Sequence, residues 1–272
     1  PIGKDEILKT FSPETLKSFY KNWYRPNLMA VIVVGDIDPV EAEKKIIAHF
    51  SKFKNPAGAP ARPSIIPIPA RTKPAAMVLT DDEQTNTFVQ IYNFVKPAAK
   101  MKTWADYRKN IIEGLVSSLI NQRLSELTQK ENPPFLFANT GYGQFLRGYS
   151  SFNSFAVLSK GTLTEAIDAM IEETSRARQF GFLQSELDRA KASMLNNADK
   201  AVKEKDKSES GMIVSQYVSN FLNGTPVPGV QHRYNFLKEV LPSISLAEIN
   251  DVAKKMPSTS NAFTLVQAPS GM

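Results

Sequence analysis

The chain has 272 residues, 42% of them hydrophobic and 22% charged, an ordinary globular composition with length for one large domain or two smaller ones. Its 33 basic and 27 acidic residues leave a net charge of +6, but no Lys/Arg run is interleaved with stacking aromatics, so the excess reads as a solvated basic surface and argues against nucleic-acid binding. Cysteine is absent, which excludes disulfides, thiolate chemistry and Cys-based zinc sites, and no apolar run reaches the roughly 18 residues of a membrane helix.

In chain order, Ser12-Pro13-Glu14 sets a capping hydroxyl before a proline at the first helical position. Leu16, Phe19, Tyr20 and Trp23 follow at helical spacing, and Pro26 stops the helix. Met29 to Val34 is a continuous apolar run that predicts a strand buried on both faces. Asp38-Pro39-Val40-Glu41 supplies cap, first turn and reciprocal carboxylate for a helix to about Phe53. Residues 55–74 hold six prolines and predict an extended linker.

Beyond the linker, Ala76–Thr80 and Phe88–Val95 read as strands, and Tyr107 to Gln129 as a long helix. Phe152–Leu158 alternates like a strand. Thr162 to Glu165 is a capping box before a helix to about Arg178. Ser185–Leu222 is helical with a break near Gly211, Ser245 to Glu248 opens a short helix, and Ala262–Val266 is a last strand. Strands that follow one another directly, mixed with long helices, predict an α+β fold with a mainly antiparallel sheet.

The motifs that carry chemistry are missing. Val34 runs into Gly35-Asp36-Ile37-Asp38-Pro39, with one glycine and two carboxylates where a dinucleotide loop needs Gly-x-Gly-x-x-Gly and no repelling charge. The two histidines, His49 and His232, have no ligand partner three or four residues away; His49 reads as a surface residue at a helix end and His232 as a loop residue. There is no nucleophile elbow, and Asp81-Asp82-Glu83 reads as a solvated turn. Catalytic and metal-ligating residues are therefore both expected to be none. Phe135, Phe137, Tyr142, Phe145, Tyr149, Phe152 and Phe155 form a dense aromatic set, which suits either core packing or a wall that touches peptide.

The order of Phe11-Ser12-Pro13-Glu14, Phe19-Tyr20-Lys21-Asn22-Trp23-Tyr24-Arg25-Pro26-Asn27-Leu28-Met29 and Val31 to Asp38 resembles the pitrilysin/insulinase family of zinc metallopeptidases. The resemblance implies a two-layer α+β fold for essentially the whole chain, with long helices on one face of the sheet. Residues 1–55 would be the end of the first, metal-binding domain, 56–74 the linker, and 75–272 a complete second domain of related fold that is not catalytic. The family's His-x-x-Glu-His zinc motif occurs nowhere in this sequence. Both chain ends are thus expected to be cut points, with the zinc and any targeting signal carried elsewhere in the parent.

A substrate-facing domain of the family carries an Arg and a Tyr that this chain lacks. Thr128 stands where the Arg would be, and Phe137-Ala138 falls near the Tyr. The resemblance therefore implies the zinc-side half of a long four-domain enzyme, degrading peptides in a closed chamber. Phe135, Phe137, Tyr142, Phe145 and Tyr149 are the candidate wall residues. The alternative is a scaffold or partner subunit without peptidase activity. Implied partners are the remaining domains of the polypeptide, peptide substrates, and further copies through open sheet edges. Neither nucleic acid nor a membrane span is among them. A periplasmic or secreted bacterial location is implied, with the cytoplasm as the alternative.

Overall fold

A computed structural model describes residues 3–63, 68–69, 71–97, 101–146, 148–158, 162–258 and 261–271. In chain order the elements are α1 (Asp5–Thr10), α2 (Pro13–Trp23), a 3-10 turn (Pro26–Leu28), α3 (Pro39–Phe50), β1 (Ala75–Asp81), β2 (Thr87–Pro97) and α4 (Trp104–Leu127). There follow β3 (Phe137–Leu146), β4 (Tyr149–Leu158), α5 (Leu163–Phe180), α6 (Gln184–Lys203), a 3-10 turn (Lys205–Lys207), α7 (Ser210–Asn223), α8 (Val230–Ser243), α9 (Leu246–Lys254) and β5 (Phe263–Pro269). Two units result: residues 1–66 with 208–222, and residues 67–207 with 223–272.

In the first unit the local signals act as the sequence suggests. The Ser12 hydroxyl accepts the Thr15 N–H at 3.2 Å, and the Asp38 carboxylate accepts the N–H groups of Val40 and Glu41 at 2.8 and 3.2 Å. Each side chain occupies amide donors that the first helical turn leaves free. The strand expected over Met29 to Val34 does not form. The segment is extended but pairs with no described residue, and Val31 and Val33 stay about half exposed. A strand exists only through its neighbours' backbones, and none pairs with it among the described residues of this unit. Instead α3 and α7 flank the segment and leave an apolar groove of about 660 Å3 lined by Ile32, Val34, Ala42, Ile46, Ile213 and Tyr217. Grouping by chain order would put α7 with the rest of residues 75–272, yet residues 208–222 belong to the first unit.

Among the described residues of this unit only Arg25 is buried. Its Nη2 donates to the Pro60 carbonyl at 2.5 Å, while the Asn27 N–H donates to Asn55 Oδ1 at 3.1 Å. The Tyr-Arg-Pro-Asn stretch thus ties the end of α2 to the start of the linker.

The second unit is built on a five-stranded mixed sheet in the order β1-β5-β2-β4-β3. The chain's last strand inserts between its first two, parallel to β1 and antiparallel to β2, and the remaining pairings are antiparallel. Alternation in β2 decides the faces: Val89 and Ile91 are buried, while Phe88, Gln90 and Tyr92 lie on the other side. Ile111, Ile112, Leu115, Val116, Leu119, Ile120 and Leu124 of α4 join Val89, Ile91, Phe152 and Ala156 in one core.

In the second unit one strand and one α-helix were not expected. Strand β3 carries Gly141 and Gly143, which weaken strand propensity and interrupt alternation. Helix α8 follows the Pro-rich turn after α7, so His232 lies in a helix and not, as the sequence suggested, in a loop.

Candidate functional site

The face of the second unit's sheet that points away from its core carries a band of rings. Register places Phe88 between Val157 and Gln267, Gln90 between Phe155 and Leu265, and Tyr92 between Asn153 and Phe263, all pointing away from the core. Phe88 stacks on Phe155 with centroids 5.9 Å apart, and Phe137 lies 6.4 Å from Phe155. Tyr92 meets Phe145 edge-on at 5.5 Å and Phe263 at 6.3 Å, and its hydroxyl bonds Gln90 Oε1. The Arg71 guanidinium lies 5.6 Å over the Phe263 ring. Such a face offers apolar contact area and aromatic edges but no acid, base or nucleophile.

The five aromatic candidates fall on different sides of the sheet. Phe137 is 52% exposed and Phe145 is partly exposed, both beside the ring band. Phe135 is 0% exposed, a core residue just ahead of β3. Tyr142 shares the inward parity of Ala138 and Thr140 and packs edge-on against Phe152 at 4.9 Å. Burial, with a smaller push from the Glu113 charge, raises its phenol to about 12. The Tyr149 hydroxyl accepts the Ile68 N–H at 3.2 Å and so holds the linker. Thr128 caps the C-terminus of α4, its hydroxyl donating to the Ser125 carbonyl at 2.7 Å.

Phe155 stood in the aromatic set read from the sequence, whereas Phe88, Tyr92 and Phe263 did not, although the alternation in FVQIYNFV carried the signal for the first two.

The β3 edge is closed from behind. The outward N–H groups of Thr140 and Tyr142 donate to Asn121 Oδ1 (2.7 Å) and Ser117 Oγ (3.3 Å), two side chains one turn apart on α4. Gly141 allows this approach, because a Cβ there would lie 2.7 Å from Ser117 Oγ. Nearby, Arg123 is committed to Glu186, with Nε to Oε1 at 2.7 Å and Nη2 to Oε2 at 2.9 Å, and it also covers the Phe182 ring at 4.7 Å. The Arg123 hydrogen bonds, supported by the Leu183 N–H, hold the Glu186 carboxyl below its usual range. That arginine pins the α5–α6 turn and is not free for a ligand.

His49 ends α3 and His232 begins α8. Among the described residues no three His, Asp or Glu side chains lie close enough to hold a metal ion.

The family profile described as Peptidase M16 inactive domain matches residues 10–194. The probable zinc protease PqqL of Escherichia coli K12 is 26% identical over 264 residues, which is 97% of this chain and 28% of the relative. A zinc protease PQQL-like protein of Arabidopsis thaliana is 24% identical over 94% of this chain and 24% of its own length. The crystal structure of the periplasmic protease PqqL from Escherichia coli superposes with a TM-score of 0.82 at 25% identity, over 98% of this chain and 29% of that one. A separate structure of the first half of that protease is covered to 57%. The chain thus spans 24 to 29% of the length of these full-length relatives. With well over half its residues matched and its fold shared throughout, the chain belongs to the peptidase M16, or insulinase/pitrilysin, family through the domain described as inactive.

Proposed function

We propose that this chain is a non-catalytic segment of a zinc-dependent endopeptidase, and that the open sheet face of its second unit forms part of the wall along which extended peptides lie. The ring band Phe88–Phe155–Phe137 with Tyr92 and Phe263 carries this reading, because these aromatics point away from the core. Phe137 and Phe145 are the wall residues among the sequence candidates; Phe135 and Tyr142 support the strand from behind, and Tyr149 holds the linker. Peptides are also the partner class that the zinc-protease relatives favour, together with the remaining domains of the same polypeptide. The periplasmic location of the Escherichia coli protease favours the bacterial envelope.

Zinc chemistry belongs to the parent polypeptide. The residues present do not fit the metal: the sequence has no His-x-x-Glu-His, and no metal-binding group occurs among the described residues. Metal analysis of the purified chain is expected to find no stoichiometric zinc, and one tightly held ion per chain would contradict that. For the wall, an apolar peptide carrying photo-reactive side chains is expected to crosslink to β2, β4 and the start of β3. The variant F137S/F155S should reduce labelling several-fold with an unchanged circular dichroism spectrum. Labelling absent from this face would favour the scaffold alternative.

A further inference from the structure

The two edges of the second unit's sheet are treated differently. At β3 the outward amides are capped by Asn121 and Ser117, which removes that edge from pairing. At the other end of the sheet β1 pairs with β5 and with no other strand among the described residues. Its sequence AAMVLTD has no charge before Asp81, and Met77, Val78 and Leu79 are 49%, 64% and 48% exposed. An apolar run of this kind ordinarily belongs to a strand covered on both faces and both edges.

The backbone shows which groups remain open. Ala75 N–H donates to the Ala262 carbonyl at 3.1 Å, and the Asp81 carbonyl accepts the Ser270 N–H at 3.2 Å. Odd-numbered residues of β1 therefore direct their backbone groups toward β5, and Ala76, Val78 and Thr80 present theirs to the free side. The charges flanking the strand are polarised: Arg71 and Lys73 precede it, and Asp81, Asp82 and Glu83 follow it.

We infer that β1 is a homodimerisation strand, pairing antiparallel with β1 of a second copy about a two-fold axis at Val78. Hydrogen-bonded pairs in an antiparallel ladder need both partners to face the seam. Only the register that pairs Val78 with its own copy and Ala76 with Thr80 engages all three outward residues. That register sets Met77 opposite Leu79 and brings the basic segment before each strand, with Arg71 and Lys73, beside the acidic turn Asp81-Asp82-Glu83 after the other, twice by symmetry. A parallel copy would align like charges. The strand is thus complementary to itself in sequence, charge and backbone phase, which is why a second copy is its occupant.

Sedimentation velocity of the full chain over a concentration series tests this. The wild type is expected to be a dimer that dissociates on dilution. Val78→Pro removes the central outward N–H but none that bonds β5, and should raise the dimer Kd at least tenfold with an unchanged circular dichroism spectrum. Lys73→Glu and Glu83→Lys should each weaken the homodimer, because like charges then face each other across the seam. An equimolar mixture of the two should recover a heterodimer, since both facing pairs become opposite in sign. The charge variants keep the test open if the proline variant misfolds. A wild type that is monomeric throughout, a dimer indifferent to Val78→Pro in a folded variant, or a mixture that stays monomeric would each overturn the assignment.

Discussion

Gly141 carries more of the second unit's architecture than its size suggests. A methyl group there would lie 2.7 and 2.8 Å from Ser117 Oγ and Cβ, against a side chain that cannot retreat without releasing the Tyr142 amide. Gly141→Ala should therefore destabilise the fold by about 2 kcal/mol, as overpacking of a filled contact does, measured by urea denaturation. Arg123 is the other residue whose removal should be felt. Its guanidinium and Glu186 are both largely buried, and Arg123→Ala would strand a carboxylate in that setting. A loss of about 3 kcal/mol is expected, and Arg123→Lys should recover only part of it because an ammonium cannot form the two-pronged contact. The partner is not legible from the neighbouring residues, since Glu186 lies in α6, four elements further along the chain.

Complete capping signals mark the starts of α2, α3 and α9, whereas α1 and α8 form without a side-chain cap. Helix α9 begins with the reciprocal pair Ser245 and Glu248, and Glu248 Oε1 also accepts Arg108 Nη1 from α4 at 2.8 Å. The Arg108 hydrogen bond, then the Ser245 N–H, lowers the Glu248 carboxyl to about 2 from a usual value of 4.5. Because the folded value is depressed, this contribution is fully present above pH 4.5 and is lost as pH falls toward 2. Glu248→Gln should flatten the acid-side loss of stability in that window while leaving the slope above pH 5 unchanged, read from denaturation midpoints at successive pH values. Partial exposure of the pair keeps the effect small. Ser245→Ala should cost about 1 kcal/mol through the lost cap. Strand β3 and helix α8 escaped notice at this scale, one for its two glycines and the other for the proline-rich turn before it.

At the scale of the molecule the two units differ in what holds them. The second encloses a continuous core from α4, β2, β4 and their neighbours, whereas the first has no buried apolar side chain among its described residues. Burial is the main favourable term in folding, so a unit that exposes Ile7, Phe19, Tyr20, Val31, Ile47 and Phe53 is held weakly. Hydrogen exchange should reach α1 to α3 and α7 at least a hundredfold faster than α4, β2 and β4. Equal protection in both units would contradict this account.

Composition, caps and apolar period determined the α+β class, most helix starts, the central strands and the lack of a zinc motif, because each is written in neighbouring residues. The resemblance of residues 11–38 to the M16 family needed no more than that. What only the tertiary structure decided depends on partners distant in the chain. Strand parity against β4 sorted the aromatic set, sending Tyr142 inward and Phe137 outward. With no strand beside it among the described residues, Met29 to Val34 stayed outside the sheet, and α7 came to belong to the first unit. A side chain's face and a strand's existence are properties of pairing, and pairing is settled between segments.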